Sequence, residues 1–296
     1  MNTKISGLLG ILIAISLVPL ADAQISIGEK AVQKSVEVMI NPDGEVHVKH
    51  VVRSSNLPVD LELVDGTVSN ISVTNEQGEE VLFSMNADNV VLLQPSDDEL
   101  IVEYDLEDVL SEINNVWTWN FRYLQTTTFL IPQEVDLFFV NERPVYLDDK
   151  KGFSCHGCQM ILEYAIGEPK NIKYVNWENR EFGVEMRTFA EIENFNFSQS
   201  DKEISFKVND ANRFVTIVIP QELLLEPYEV FLNDEKIFFN KYINNGTHNW
   251  INMKPDTTGE ISIIGTTVAS EPSYTVEVIE CGWWDKFLAL FGIGKC

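Results

Sequence analysis

Ile204-Ser205-Phe206-Lys207-Val208, the polar run Asn209-Asp210-Ala211-Asn212, and then Phe214-Val215-Thr216-Ile217-Val218-Ile219-Pro220 read as a strand, a turn and a second strand. In the first strand Ile204, Phe206 and Val208 alternate with Ser205 and Lys207, the period of two expected when one face meets a core and the other meets water. The second is apolar at nearly every position, as in a strand covered on both faces. Pro220 closes it, because proline has no N–H to give to a ladder. No helical period intervenes, so the two strands belong to an antiparallel β-sandwich.

The same grammar extends in both directions. Val46 and Val48 alternate with Glu45, His47 and Lys49 after the turn Asn41-Pro42-Asp43-Gly44, and Tyr274, Val276 and Val278 alternate with Thr275 and Glu277. Leu137 to Val140 is another short apolar run. Turn signals recur at Asp65-Gly66, Asn75 to Gly78, Pro95 to Asp98, Asn176 to Arg180 and Asn233-Asp234. Only Glu107 to Ile113 and the C-terminal tail read as helical. These features predict an all-β chain of two antiparallel, immunoglobulin-like β-sandwich domains with a short C-terminal amphipathic helix. The domains are placed at 24–170 and 171–280, and the tail at 281–296. A faint repeat supports two similar halves: Ile131-Pro132-Gln133-Glu134 returns as Ile219-Pro220-Gln221-Glu222, each followed by an apolar strand and a turn. Duplication and common sandwich grammar both account for it.

Composition narrows the function. The chain has 296 residues, 46 acidic against 21 basic side chains, and a formal net charge of −25. Nucleic-acid binders hold phosphates with clustered Lys and Arg, so that class is excluded. The first 23 residues have the form of a signal peptide. Lys4 gives a positive start, Ile5 to Leu20 is apolar, and Ala21-Asp22-Ala23 offers a small-x-small cleavage site before Gln24. Export makes Cys155, Cys158, Cys281 and Cys296 first of all disulfide partners. Four cysteines allow three pairings, and closeness in sequence favours 155 with 158 and 281 with 296. Export also gives meaning to three sequons, at Asn70, Asn196 and Asn245, as glycosylation sites.

The run from Ile204-Ser205-Phe206 through Val218-Ile219-Pro220, Tyr228-Glu229-Val230-Phe231-Leu232 and Ile261-Ser262-Ile263-Ile264-Gly265-Thr266-Thr267-Val268 resembles a β-sandwich module of secreted cell-surface proteins in ammonia-oxidising archaea. The resemblance covers about residues 180–268 and implies a surface protein without naming a reaction. In that group a Pro-Glu-Phe-Gly sorting signal and a membrane segment often follow the last strand. Here Ala269-Ser270-Glu271-Pro272 leads instead into another strand and the cysteine-bounded tail.

Three features invite chemistry. Cys155-His156-Gly157-Cys158, with Met160, has donors that a soft ion such as Cu(I) favours. A structural disulfide is the plainer reading, and a redox role would expect a helix that this segment lacks. Trp117, Trp119, Phe121 and Tyr123 project from one face of one strand. Exposed, Trp117, Trp119 and Tyr123 would make a platform for stacking sugars; buried, the row is a core layer. In the tail, Trp283, Trp284, Phe287, Leu288, Leu290 and Phe291 gather on one side at helical spacing. That side suits an envelope or surface-layer protein, a membrane surface or the protein's own body. The acidic clusters Asp97-Asp98-Glu99, Asp105 with Glu107-Asp108, and Asp148-Asp149 read as solvated loops. His50 falls in phase with Val46, Val48 and Val52 and is expected at a core edge, while His47 points outward with Lys49. No nucleophile elbow, zinc-protease or phosphate-loop motif appears, and no cofactor is implied. The expectation is a non-catalytic binding or structural protein of a cell surface.

Overall fold

The computed structural model describes residues 29–87, 89–147, 151–243 and 246–266. Every regular element among them is a strand, and none of them forms a helix long and apolar enough to cross a membrane. Two compact units part between Gly167 and Glu168.

The first unit runs through β1 (Glu29–Lys30), β2 (Gln33–Ile40), β3 (Val46–Val52), β4 (Val59–Glu62) and β5 (Thr67–Asn75). It continues with β6 (Phe83–Ala87), β7 (Val90–Leu93), β8 (Leu100–Glu107), β9 (Ser111–Ile113) and β10 (Val116–Tyr123). The last five are β11 (Thr127–Leu130), β12 (Leu137–Val140), β13 (Arg143–Tyr146), β14 (Gly152–Cys155) and β15 (Cys158–Tyr164). They form sheets in the orders β14-β11-β2-β3-β8-β5, β13-β12-β15-β10-β9 and β1-β4-β7-β6. All pairs are antiparallel except β1 with β4 and β2 with β11. The pleat explains the core: Val46, Val48 and Val52 of β3, and Leu100, Val102, Tyr104 and Leu106 of β8, are buried while their neighbours are not. Phe121 of the five-stranded sheet meets Phe129 of the six-stranded sheet edge to face at 4.8 Å, and Phe153 stacks on Phe129 at 5.0 Å. The arrangement is sandwich-like.

The second unit holds β16 (Lys170–Trp177), β17 (Arg180–Arg187), β18 (Ile192–Ser198), β19 (Glu203–Val208) and β20 (Val215–Pro220). It ends with β21 (Leu225–Leu232), β22 (Glu235–Lys236), β23 (Asn240–Ile243), β24 (His248–Met253) and β25 (Gly259–Thr266). Two antiparallel sheets, β16-β17-β20-β24-β23 and β18-β19-β25-β21-β22, enclose Val184, Met186, Ile217 and Ile219 with Phe206, Val230, Ile261 and Ile263.

The faint sequence repeat continues in three dimensions. The sheet order β9-β10-β15-β12-β13 matches β18-β19-β25-β21-β22 strand for strand. Both copies of Ile-Pro-Gln-Glu make one turn, in which the N–H of Val135 or Leu223 donates to the carbonyl of Pro132 or Pro220 at 3.0 Å. Both following hairpins turn on two residues with positive φ, Asn141-Glu142 (49° and 64°) and Asn233-Asp234 (49° and 67°), as a type I′ turn requires. Each asparagine then grips the next strand twice. The Asn141 N–H donates to the Ile161 carbonyl at 2.9 Å, and the Asn141 side-chain oxygen accepts the Ile161 N–H at 2.9 Å. Asn233 makes the same pair with Glu260, at 2.9 and 3.0 Å. Register agrees too: Val140 faces Leu162, which faces Trp119, and Leu232 faces Ile261, which faces Phe206.

One local expectation fails. Glu107 to Ile113 is not a helix: β8 ends at Glu107, Asp108 turns with φ 58°, and Ser111–Ile113 pairs with β10. Seven residues are too few to hold a helix alone, and Val109 and Leu110 instead pack against the core.

Candidate functional site

The site begins at the β2–β3 hairpin. Asn41 and Glu45 close it with a 2.9 Å backbone bond, and Gly44 turns with φ 81°. A Cβ at Gly44 would stand 2.3 Å from the ring of Trp117, so a glycine is needed here on both counts. Beyond the turn, the register aligns His47 of β3, Asp105 of β8 and Ser69 of β5 in one row on the outer face. A bulge between Ser69 and Ser72 throws Asn70 (φ 51°) over the row. His47 Nδ1 lies 2.8 Å from one oxygen of Asp105, and the amide of Asn70 donates to the other at 2.9 Å. These bonds, that of His47 first, hold the Asp105 carboxyl below its ordinary pKa, so it is a carboxylate at neutral pH.

The row floors a cleft of about 480 Å³, walled by Asp43, Glu45, Glu107 and Asp108. Such a lining suits a cationic or hydroxyl-rich ligand: carboxylates accept, and Asn70 and His47 orient that of Asp105. The order of the row matters for catalysis. A hydrolytic triad places the imidazole between carboxylate and hydroxyl, so that the imidazole takes the hydroxyl proton. Here Asp105 stands in the middle, between His47 and Ser69.

The cysteine hairpin forms a second feature. β10 and β15 belong to one sheet, β11 and β14 to the other. Tyr123 faces Cys158 and Thr127 faces Cys155, so the chain crosses between sheets twice at the same corner. A disulfide joins Cys155 to Cys158 there. His156 is exposed and shares a 2.7 Å hydrogen bond between its Nδ1 and the Thr126 hydroxyl. The soft-metal grouping of Cys155, His156, Cys158 and Met160 is not assembled in this state: both sulfurs are spent on each other, whereas a metal needs thiolates. Met160 is buried in the core. Among the described residues no three His, Cys, Asp or Glu side chains group as a metal site. Cys281 and Cys296 lie outside the described residues.

The aromatic platform is corrected. Trp119, Phe121 and Tyr123 are 3%, 1% and 6% exposed and belong to the core; only Trp117 is half-buried, stacked on Tyr164. Each such ring hides about 150–250 Å², and leaving it in water would forfeit that burial.

Sequence reasoning missed a buried polar chain. His50 is 0% exposed, with Nε2 2.9 Å from the Tyr104 hydroxyl and Nδ1 2.8 Å from Gln33 Oε1. Tyr104 accepts the Val64 N–H, so its own proton goes to Nε2, and the imidazole proton sits on Nδ1 and goes to Gln33. Gln33 donates to Tyr123, and Tyr123 donates to the Glu62 carbonyl at 2.5 Å. The chain of donors starts at Val64, just past β4, and ends at Glu62, the last residue of β4. Burial pushes the His50 pKa down to about 3 and the Tyr123 pKa up to about 12, so both stay neutral. The phase of His50 pointed inward; nothing local named its partners.

Asn70 and Asn196 are both exposed, the former engaged with Asp105 and the latter on β18. Asn245, the signal-like segment 1–23 and the tail residues Trp283, Trp284, Phe287, Leu288 and Phe291 lie outside the described residues. No known protein-family model matches the chain, and no curated protein proves similar to it.

Proposed function

We propose that the protein is a secreted, non-catalytic binding protein of a cell surface, built from two immunoglobulin-like sandwich domains and a short amphipathic C-terminal helix. The observation that carries the binding role is the cleft over His47, Asp105 and Asn70, whose carboxylate stands where a catalytic imidazole would have to be. The Cys155–Cys158 bond supports life in an oxidising compartment, and the apolar segment before Gln24 supports export. The segment 281–296 docks on an envelope or surface-layer partner or on the membrane surface; nucleic acid is no partner and no cofactor is used. The archaeal cell-surface module that residues 180–268 resemble fits this reading.

Fractionation tests it. The full chain, expressed in a host that exports it, is expected in the envelope fraction with Gln24 as its first residue, and deletion of 281–296 is expected to release it. A protein recovered from cytosol with Met1 intact, or a deletion that leaves fractionation unchanged, rejects the respective half of the reading.

A further inference from the structure

The two sequons within the described residues, at Asn70 and Asn196, are not equivalent once folded. Asn70 sits at positive φ in the β5 bulge, donates its amide to Asp105, and roofs the acidic cleft. A glycan on that nitrogen would take one of its two hydrogens and set a bulky sugar into the cleft mouth. Asn196 is different. It lies near the end of β18, the outermost strand of β18-β19-β25-β21-β22, which among the described residues pairs with β19 alone. Phe195 and Phe197 turn towards the core, so Asn196 between them faces outward, exposed. Its amide has no hydrogen-bonded partner among the described residues, whereas Ser198, the third residue of the sequon, is held at the strand end by Asp201 at 2.5 Å.

We propose that, of Asn70 and Asn196, it is Asn196 that carries an N-linked glycan, that Asn70 stays bare to serve the cleft, and that the glycan shields the β18 edge. This rests on the export reading above. In the transfer, the Asn196 amide nitrogen attacks the anomeric carbon of a lipid-phosphate-linked oligosaccharide. A C–N bond forms, the bond from that carbon to the phosphate oxygen breaks, the lipid phosphate leaves, and the nitrogen gives up one proton. The site has a physical use, because an uncovered edge strand presents unpaired N–H and C=O groups to any other strand. Asn194 and the register shift between Glu193 and Asn196 already break the regularity of that edge. A sugar beside them adds bulk that a second chain would have to displace.

Intact-mass and peptide mass spectrometry of the full chain exported by its own host decide the matter. The peptide with Asn196 is expected to carry the glycan mass, N196Q and S198A are each expected to lose it, and N70Q is expected to keep it. N196Q is also expected to show a larger oligomer fraction in sedimentation than the glycosylated chain. A bare Asn196 in material that begins at Gln24 overturns this proposal and leaves export standing, as does a glycan on Asn70. An oligomer fraction unchanged in N196Q overturns the shielding role. Material that begins at Met1 overturns export itself.

Discussion

His50 shows how one enclosed side chain sets a pH response. In the unfolded chain its imidazole takes a proton near pH 6.5; in the fold, burial delays this to about pH 3. Between those values the unfolded state holds a proton that the folded state refuses. Stability therefore falls as pH drops from about 6.5 towards 3, by up to about 1.4 kcal/mol per pH unit, and does not respond to this group above that window. Urea unfolding of His50→Leu at pH 7 and pH 5 is expected to show a shallower loss than the wild type. The variant starts lower, by about 1–3 kcal/mol for each of Tyr104 and Gln33 left without its partner. Equal slopes in the two proteins would mean that His50 already exchanges protons with solvent. Little of this chain was legible in the sequence. The inward phase of His50 was, but Gln33 and Tyr104 reach it only through the register of β2, β3 and β8.

Among the elements, the paired hairpins β12–β13 and β21–β22 carry the clearest common device. Asn141 and Asn233 each combine a left-handed turn with a two-bond grip on the neighbouring strand. Asn141→Ala and Asn233→Ala are each expected to destabilise by about 1–2 kcal/mol, since each loses a hydrogen bond and forces alanine to positive φ. Aspartate at either position keeps the acceptor and tolerates the turn, so it is expected to recover most of the loss in thermal unfolding. If alanine proves neutral at one position and costly at the other, the two hairpins are alike in shape only. The strands themselves were legible, because alternation at Val46-Val48 and Ile204-Phe206-Val208 is a direct image of the pleat. Ile-Pro-Gln-Glu marked the repeat as well. Glu107 to Ile113 misled because a short stretch holds no information about the strand waiting beside it. The cleft stayed invisible for a similar reason: His47 and Asp105 are 58 residues apart and Asn70 and Asp105 are 35 apart, and only sheet register unites them.

For the whole molecule, a net charge of −25 is a standing load of self-repulsion. Ion pairs such as Lys207–Glu193 and Lys236–Glu229 are exposed on both sides and worth little. Added salt screens long-range repulsion more than it weakens these pairs, since the Debye length shrinks from about 30 Å at 0.01 M to about 3 Å at 1 M. The melting temperature is therefore expected to rise with sodium chloride in a scanning-calorimetry series; a fall would show that local pairs dominate. The matched sheets bring a different hazard. Two segments of one polypeptide that share strand order, turn and grip are rival templates while the chain is still collapsing, and a hairpin meant for Ile161 can settle on Glu260 instead. The unlike side chains at matched positions, Trp119 against Phe206, then help each hairpin find its own berth.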